Sequence, residues 1–374
     1  MGGQMPNLAV ERLNLSHFRS HLSFQILCDP RPVVLYGANG VGKTNILEAI
    51  SLISPGRGVR RARAEEMGRK PECLGWKIKA IVQSENRKYE IETWSENGNA
   101  RHVRIDGKAA TQVMLGKIVR VLWLIPAMDR LWTEAADGRR RFLDRMTLSF
   151  FPEHAENVLS YEKAMRERNR LLKDQVRDEH WYKVIEFQMA EAGVKIRASR
   201  REALKQIHMA QEKSKTIFPS AFLQIVNAEN IEEPKDSQEL SELFCNHRDR
   251  DIAMGRTSVG PHRDDLYGLF SAKNIPARDS STGEQKALLI SLILANCRAL
   301  KEQTGKTPLL LLDEVAAHLD TNRRAALYEE ICALGVQAWL TGTGPELFSE
   351  LGDQAQNLQV LDDSGKSNLV PKLT

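Results

Sequence analysis

Residues 37–44, Gly37-Ala38-Asn39-Gly40-Val41-Gly42-Lys43-Thr44, constrain this chain more than any other stretch. Their spacing is G-x-x-x-x-G-K-[ST], which carries meaning only between a buried strand and a helix. Both flanks are present. Pro32-Val33-Val34-Leu35-Tyr36 is an apolar run of strand length, and Asn45-Ile46-Leu47-Glu48-Ala49-Ile50-Ser51-Leu52 repeats its apolar residues at helical spacing. Glycines let backbone N–H groups turn inward and the opening helix adds its positive end, so such a loop wraps a chain of phosphates. Lys43 is then expected to reach the β- and γ-phosphates and the Thr44 hydroxyl to ligate Mg2+, with Gly37, Asn39, Gly40, Val41, Gly42 and Asn45 lining the nucleotide.

A phosphate loop of this kind needs a second half, a buried strand that ends in a carboxylate. Pro308-Leu309-Leu310-Leu311-Leu312-Asp313-Glu314 supplies it, an unbroken apolar run closing on two acids. Asp313 is the metal-side acid. Glu314 is placed to polarise the attacking water, since a general base must lie within hydrogen-bond reach of the proton it takes.

The chain's 374 residues exceed one ordinary domain, so two domains, or one with a large insertion, are expected. A formal charge of +4 and a pI of about 8.7 permit a nucleic-acid partner without arguing for one. Five cysteines, Cys28, Cys73, Cys245, Cys297 and Cys332, are scattered and form no C-x-x-C pair, which points to neither a disulfide framework nor a zinc site. No apolar run approaches a membrane span and no signal-peptide region opens the chain. Gly2 follows Met1, but Pro6 stands where myristoylation needs Ser or Thr. The cytoplasm is the expected location.

Taken in order, Leu8 to Leu15 and Phe24 to Leu27 read as strands before the loop. After the first helix, Pro55-Gly56-Arg57-Gly58-Val59-Arg60-Arg61-Ala62-Arg63 is an arginine-rich loop that could meet the nucleotide base, DNA phosphates or only solvent. From Trp76 to Ile105 the period changes to two. Trp76–Val82, Lys88–Trp94 and Ala100–Ile105 read as an antiparallel meander, with Asn97-Gly98 and Asp106-Gly107 as turn signals. Ile118 to Leu124 is one further strand. Helix begins around Gly138-Arg139-Arg140-Arg141, and from Glu153 to Ile217 helical spacing dominates, with a break at Asp178-Glu179-His180. Two helices of roughly 25 to 35 residues would each span about 40–50 Å, enough for a short arm or for helices of a second lobe. Phe222 to Val226 reads as a strand and Ser237 to Met254 as one helix. Near the end of this helical insertion Ser281 and Glu284 form a capping-box pattern before the strong helix Ala287 to Leu294.

The phosphate loop, the Ser280-Ser281-Thr282-Gly283-Glu284-Gln285-Lys286 helix start, Leu312-Asp313-Glu314 and Ala317-His318-Leu319-Asp320 together resemble the ABC-type ATPases of the SMC class. Within that class the chain is most similar to the RecF family of bacterial recombination mediators. The residues that single this family out are Leu15-Ser16-His17-Phe18-Arg19, the run Gly40 to Ile50 with Pro55-Gly56-Arg57-Gly58, Arg139-Arg140-Arg141-Phe142-Leu143-Asp144-Arg145, and Thr257-Ser258-Val259-Gly260-Pro261-His262-Arg263-Asp264-Asp265. The resemblance runs from about Leu8 to Trp339-Leu340-Thr341.

What the resemblance implies is an α/β P-loop NTPase of ABC/SMC type: a split head with mixed β-sheets plus a mainly helical second lobe with a short arm. The expected boundaries are 1–125 for the N-terminal ATPase part, 126–302 for the helical lobe with the signature, and 303–374 for the C-terminal ATPase part. It implies an ATP-dependent homodimer with Mg2+, in which Ser281 and Gly283 of one subunit meet the γ-phosphate held by the other and Asp320 crosses the interface. DNA is the implied partner, at gaps and single-strand/double-strand junctions, with RecR and RecO as co-workers and RecA placed indirectly. Candidate DNA contacts are Arg57, Arg60, Arg61, Arg139, Arg140 and Arg141. Thr282 and Glu284 depart from the transporter signature, and Thr341-Gly342-Thr343 stands where a switch histidine is usual, so hydrolysis, with Glu314 and Lys43 as its catalytic groups, is expected to be slow. The alternatives are a transporter ATPase subunit, against which the helical stretch 153–217 speaks, and a nucleotide-regulated scaffold, against which Glu314 speaks.

Overall fold

The computed structural model describes residues 6–72, 74–96, 98–227, 232–363 and 366–371. Gly2, Cys73 and Asn97, read above, lie outside the described residues. The chain divides into two compact units, one made of residues 1–129, 210–220 and 281–374, the other of 130–209 and 221–280.

The first unit holds two six-stranded sheets. One is antiparallel throughout and contains β1 (Leu8–Phe18), β2 (His21–Leu27), β4 (Trp76–Ser84), β5 (Arg87–Ser95), β6 (His102–Ile105) and β7 (Lys108–Ala110), in the order β2-β1-β4-β5-β6-β7. The other contains β3 (Val33–Tyr36), β8 (Val121–Leu124), β12 (Leu309–Leu312), β13 (Ala338–Gly342), β14 (Gln356–Asp363) and β15 (Lys366–Pro371), ordered β15-β14-β3-β13-β12-β8. Every pair in it is parallel except β14 with β15. The four leucines of β12 are all buried, as a strand covered on both faces requires. The meander predicted beside the phosphate loop therefore joins β1 and β2 in one sheet, separate from the sheet that carries β3. The strand expected from Ile118 begins at Val121, because Leu115–Ile118 forms a short helix, α2.

Helix α1 (Lys43–Ser51) joins the two sheets: Ile46, Leu47 and Ile50 share one apolar cluster with Leu13, Leu15 and Ile78 of the antiparallel sheet and with Leu35, Leu309, Leu311 and Trp339 of the parallel one. Helices α8 (Thr282–Thr304) and α9 (Thr321–Leu334) complete the unit. Ala287 to Leu294 of α8 is buried without interruption, the signature of a helix enclosed on all sides. The expected boundary at 302 thus moves to 280, because the signature helix packs in the ATPase unit rather than in the helical one.

The second unit is mainly helical: α3 (Ala136–Phe150), α4 (His154–Lys173), most of α5 (Glu179–Lys213), α6 (Ser237–Asn246) and α7 (Arg248–Met254), with a three-stranded antiparallel sheet ordered β11-β10-β9 from β9 (Ala221–Asn227), β10 (Asp264–Phe270) and β11 (Ile275–Pro276). α5 has 35 residues, about 52 Å of helix. The single helix expected over 237–254 is broken at His247, whose ring nitrogen bonds the Leu243 carbonyl at 2.9 Å and ends α6.

This unit is organised on buried charge. Arg168, with no exposed surface, donates to Glu186 (3.0 Å), Asp251 (2.6 Å), the Thr257 hydroxyl (3.0 Å) and the Phe244 carbonyl (2.9 Å). The motif 257–265 supplies much of the remaining network. His262 Nδ1 lies 2.7 Å from the Tyr161 hydroxyl, Asp264 takes the fork of Arg197, and Arg200 donates to the Pro261 carbonyl. At Gly260, with φ +117°, a Cβ would fall 2.4 Å from the Tyr161 oxygen, so only glycine fits.

Removing one partner of such a cluster leaves the others charged and unpaired. Arg168→Met should cost about 3–5 kcal/mol in urea unfolding. A loss of only about 0.2–1 kcal/mol, typical of an exposed pair, contradicts the central role given to it.

Candidate nucleotide site

The loop between β3 and α1 owes its shape to its glycines: Gly37, Gly40 and Gly42 have φ of 153°, 87° and 100°. At Gly37 a Cβ would stand 2.3 Å from the Val360 carbonyl oxygen. Gly42 is the residue before α1, and no side chain caps that helix, so its first N–H groups are left for an anion. Lys43 is buried, and its Nζ donates to the carbonyls of Gly37 (2.7 Å) and Ala38 (2.8 Å), lying back over its own loop. Burial holds its pKa below the ordinary lysine value, and the negative charges of Glu314 and Asp313 oppose that shift.

Asp313 follows β12 directly. Its N–H donates to the Leu124 carbonyl at 2.9 Å, and its buried carboxylate accepts from the Thr44 hydroxyl at 3.1 Å on both oxygens and from the Thr341 hydroxyl at 2.6 Å. A carboxylate and hydroxyls are hard oxygen donors, the set that suits Mg2+. Thr44 and Asp313, the pair expected to hold the metal, are thus together although far apart in sequence.

Thr341 was marked in the sequence only as the place of an absent histidine. In the structure its oxygen donates to Asp313 and accepts the Glu314 N–H at 2.9 Å. Only the pairing of the strands reveals this role: β13 pairs with β12 in parallel with Leu340 opposite Leu312, which places Thr341 opposite Asp313. Glu314 has φ of 54°, uncommon for a residue with a side chain, and the Thr341 bond holds it there.

The predicted capping box at α8 is formed: the Ser281 N–H and hydroxyl each donate to the Glu284 carboxylate at 3.0 Å, and the Glu284 N–H donates to Ser281 Oγ at 3.4 Å. Ser281 and Gly283 are exposed. Asp320, also exposed, caps α9 by accepting the Arg323 N–H at 2.9 Å. Asn39 and Gly40 lie exposed on the loop and Val41 is buried.

The arginines divide. Arg60 donates to Asn45 Oδ1 (2.6 Å) and to the buried Glu48 (3.0 Å), so it braces α1. Arg139 is committed within the second unit, its fork on Asp265 at 2.7 and 2.8 Å and Nη1 on the Leu131 carbonyl at 3.1 Å. Arg140 donates to the Asp264 carbonyl at 2.9 Å. Charge is legible in a sequence and its partner is not, which is why these three looked equally available. Arg57, Arg60, Arg61 and Arg141 are the exposed members, Arg60 while paired with Glu48 and Arg141 beside Asp137.

A model of the AAA domain family matches residues 12–254. The chain is 44% identical over 369 residues to the DNA replication and repair protein RecF of Rhizobium etli, covering 96% of this chain and 99% of that protein. The chain belongs to the RecF family. RecF of Brucella suis is 45% identical over 363 residues, covering 94% of each chain. Among solved structures, recombination mediator RecF with ATP, of the RecFOR pathway, aligns with a TM-score of 0.80 at 24% identity, covering 97% of this chain and 99% of that one. The Smc head domain of Pyrococcus furiosus aligns with a TM-score of 0.57 at 16% identity, covering 97% and 96%, and shares the fold. RecF membership confirms the P-loop fold of ABC/SMC type and sets the transporter alternative aside. Among the described residues no helix is long and apolar enough to cross a membrane.

In this RecF-family chain Thr341→Val keeps the shape and loses the hydroxyl. A hydrogen bond to a charged group is worth about 1.5–3 kcal/mol, so Mg2+-dependent ATP affinity should fall about 10–100-fold in calorimetry, with a smaller change in EDTA. Equal affinity in the presence of Mg2+ removes Thr341 from the site.

Proposed function

We propose that this chain is an ATP-dependent DNA-binding protein of recombinational repair and replication-fork maintenance that dimerises on binding Mg·ATP. The observation that carries the reading is the juxtaposition of Thr44, Asp313 and Thr341 beside a glycine-shaped loop whose helix is uncapped. Gly37, Gly40 and Gly42 present the backbone, Lys43 turns from its own carbonyls to the β- and γ-phosphates, and Thr44 with Asp313 holds Mg2+. The metal, when bound, neutralises phosphate charge.

Glu314 orients and deprotonates the attacking water. The Thr341 hydroxyl, unlike an imidazole, does not gain or lose a proton near physiological pH, which supports slow turnover. Hydrolysis so slow serves better as a timer for dissociation than as a motor.

Ser281 and Gly283 stand exposed at the start of a 23-residue helix, so they are available to a nucleotide held by a second copy. Asp320 is assigned to the same interface. Gapped or junction DNA binds the ATP dimer, where Arg57, Arg60, Arg61 and Arg141 are the exposed candidates for phosphate contact, Arg60 being already paired with Glu48. RecR and RecO are the proposed co-workers and RecA the indirect beneficiary, which agrees with the RecFOR pathway of the structural relative. A net charge of +4 is small, and pairing two copies doubles whatever basic surface one presents.

Ser281→Arg should leave ATP affinity within about threefold of the parent, because Lys43, Thr44 and Asp313 are untouched, yet abolish the ATP-induced dimer in light scattering. Binding to gapped duplex in ATP should be lost with it. A normal dimer in that variant contradicts the shared site.

A further inference from the structure

The turn that joins β1 to β2, together with the first residue of β2, lies along one face of α1 through three successive side chains. Arg19 clasps the buried Glu48 with Nε at 2.9 Å and Nη2 at 2.6 Å, and Ser20 Oγ accepts from Asn45 Nδ2 at 2.8 Å. His21 completes the series: its Nε2 lies 3.3 Å from the carbonyl oxygen of Gly42. Gly42, Asn45 and Glu48 recur every three residues, so the turn reads a single ridge of the helix.

His21 has no exposed surface, and its ring tilts against Phe24 with centroids 4.7 Å apart. Nδ1 is buried without any hydrogen-bond partner. Burial, assisted by the charge of Arg69 and opposed by the Gly42 carbonyl, lowers its pKa to about 4, so at neutral pH the ring carries one proton. Only Nε2 faces an acceptor, which places the proton there. The carbonyl it meets also accepts the N–H groups of Asn45 (3.0 Å) and Ile46 (3.3 Å), and it belongs to the residue whose φ of 100° and ψ of 9° set the direction of the next amides. An orphaned buried nitrogen costs stability, so packing alone does not account for an imidazole at this position.

We propose that His21 is a positioning residue of the nucleotide site, whose Nε2–H pins the Gly42 carbonyl and so holds the N–H groups of Lys43 and Thr44 toward the phosphates of a nucleoside triphosphate. This rests on the reading of residues 37–44 as the ATP site. The imidazole does not touch nucleotide. It fixes the peptide that does, and the Arg19 and Ser20 contacts fix the imidazole.

Amide side chains separate the two ring nitrogens: glutamine places an N–H near Nε2, whereas asparagine places one near Nδ1. The experiment is equilibrium binding of a fluorescent ATP analogue with Mg2+, together with thermal unfolding without nucleotide, on His21→Gln, His21→Asn, His21→Leu and the parent, with Lys43→Ala as control. His21→Gln should bind within about threefold of the parent, while His21→Asn and His21→Leu lose about tenfold or more. His21→Leu should unfold no lower than the parent, because it removes the orphaned nitrogen. Asparagine and leucine variants binding as the parent does, or glutamine binding no better than asparagine, overturn the proposal. So does a binding loss that follows the melting temperature. A parent that does not bind, or a Lys43→Ala variant that binds as well, instead overturns the assignment of the ATP site itself.

Discussion

The carboxylate of Asp313 is the point on which the first unit converges. Asp313 is 4% exposed and its charge would be costly to bury alone; the hydroxyls of Thr44 and Thr341 satisfy the carboxylate, while the residue's own N–H is fixed on the Leu124 carbonyl. Those three partners come from α1, from the end of β13 and from β8, so satisfying one acid fixes the mutual placement of the phosphate loop and of the strands on either side of β12. The parallel sheet gives the register, with β8 and β13 flanking β12, and the antiparallel sheet closes the other side of α1. A cation at Thr44 and Asp313 would replace hydrogen bonds already made there, which is how a site can be assembled before its ligand arrives.

The second unit solves the same problem differently. Its interior contains Arg168, Glu186, Asp251 and Asp264, nearly or wholly buried, and the motif 257–265 threads among them. Burying ion pairs seldom adds stability over apolar packing. Its effect here is to specify one arrangement of α4, α5, α6 and α7, since each charge has a defined partner and no other position satisfies it. Asp144 belongs to the same kind of cluster: Arg200 and His154 hold its pKa well below the carboxylate range against the opposing effect of burial. The motif that singles out the family in the sequence thus serves the architecture of this unit through Thr257, Gly260, His262 and Asp264.

Local patterns in the sequence were sufficient for the elements that obey one period. The loop 37–44, the four leucines before Asp313 and the capping box at Ser281 are each encoded in one short run, the meander in consecutive strands joined by short turns, and each is present. What depends on distant partners was not legible. Thr341 looked like a missing histidine because its meaning lies in its register with Asp313. Arg139 and Arg140 looked like a basic surface because Asp264 and Asp265 are encoded far away. The break at His247 lies within an otherwise helical pattern, and the unit boundary at 280 precedes a helix whose burial, not its composition, assigns it to the ATPase unit.

In the dimer proposed above, one nucleotide is held by Lys43 of one copy and Ser281 of another. Mixing the Lys43→Ala chain with the Ser281→Arg chain tests it most directly, because a mixed dimer concentrates both defects in one of its two sites and leaves the other intact. Sedimentation in Mg·ATP should show each variant alone as a monomer and the equimolar mixture as a heterodimer. A mixture that sediments as the sum of its two components would contradict the account.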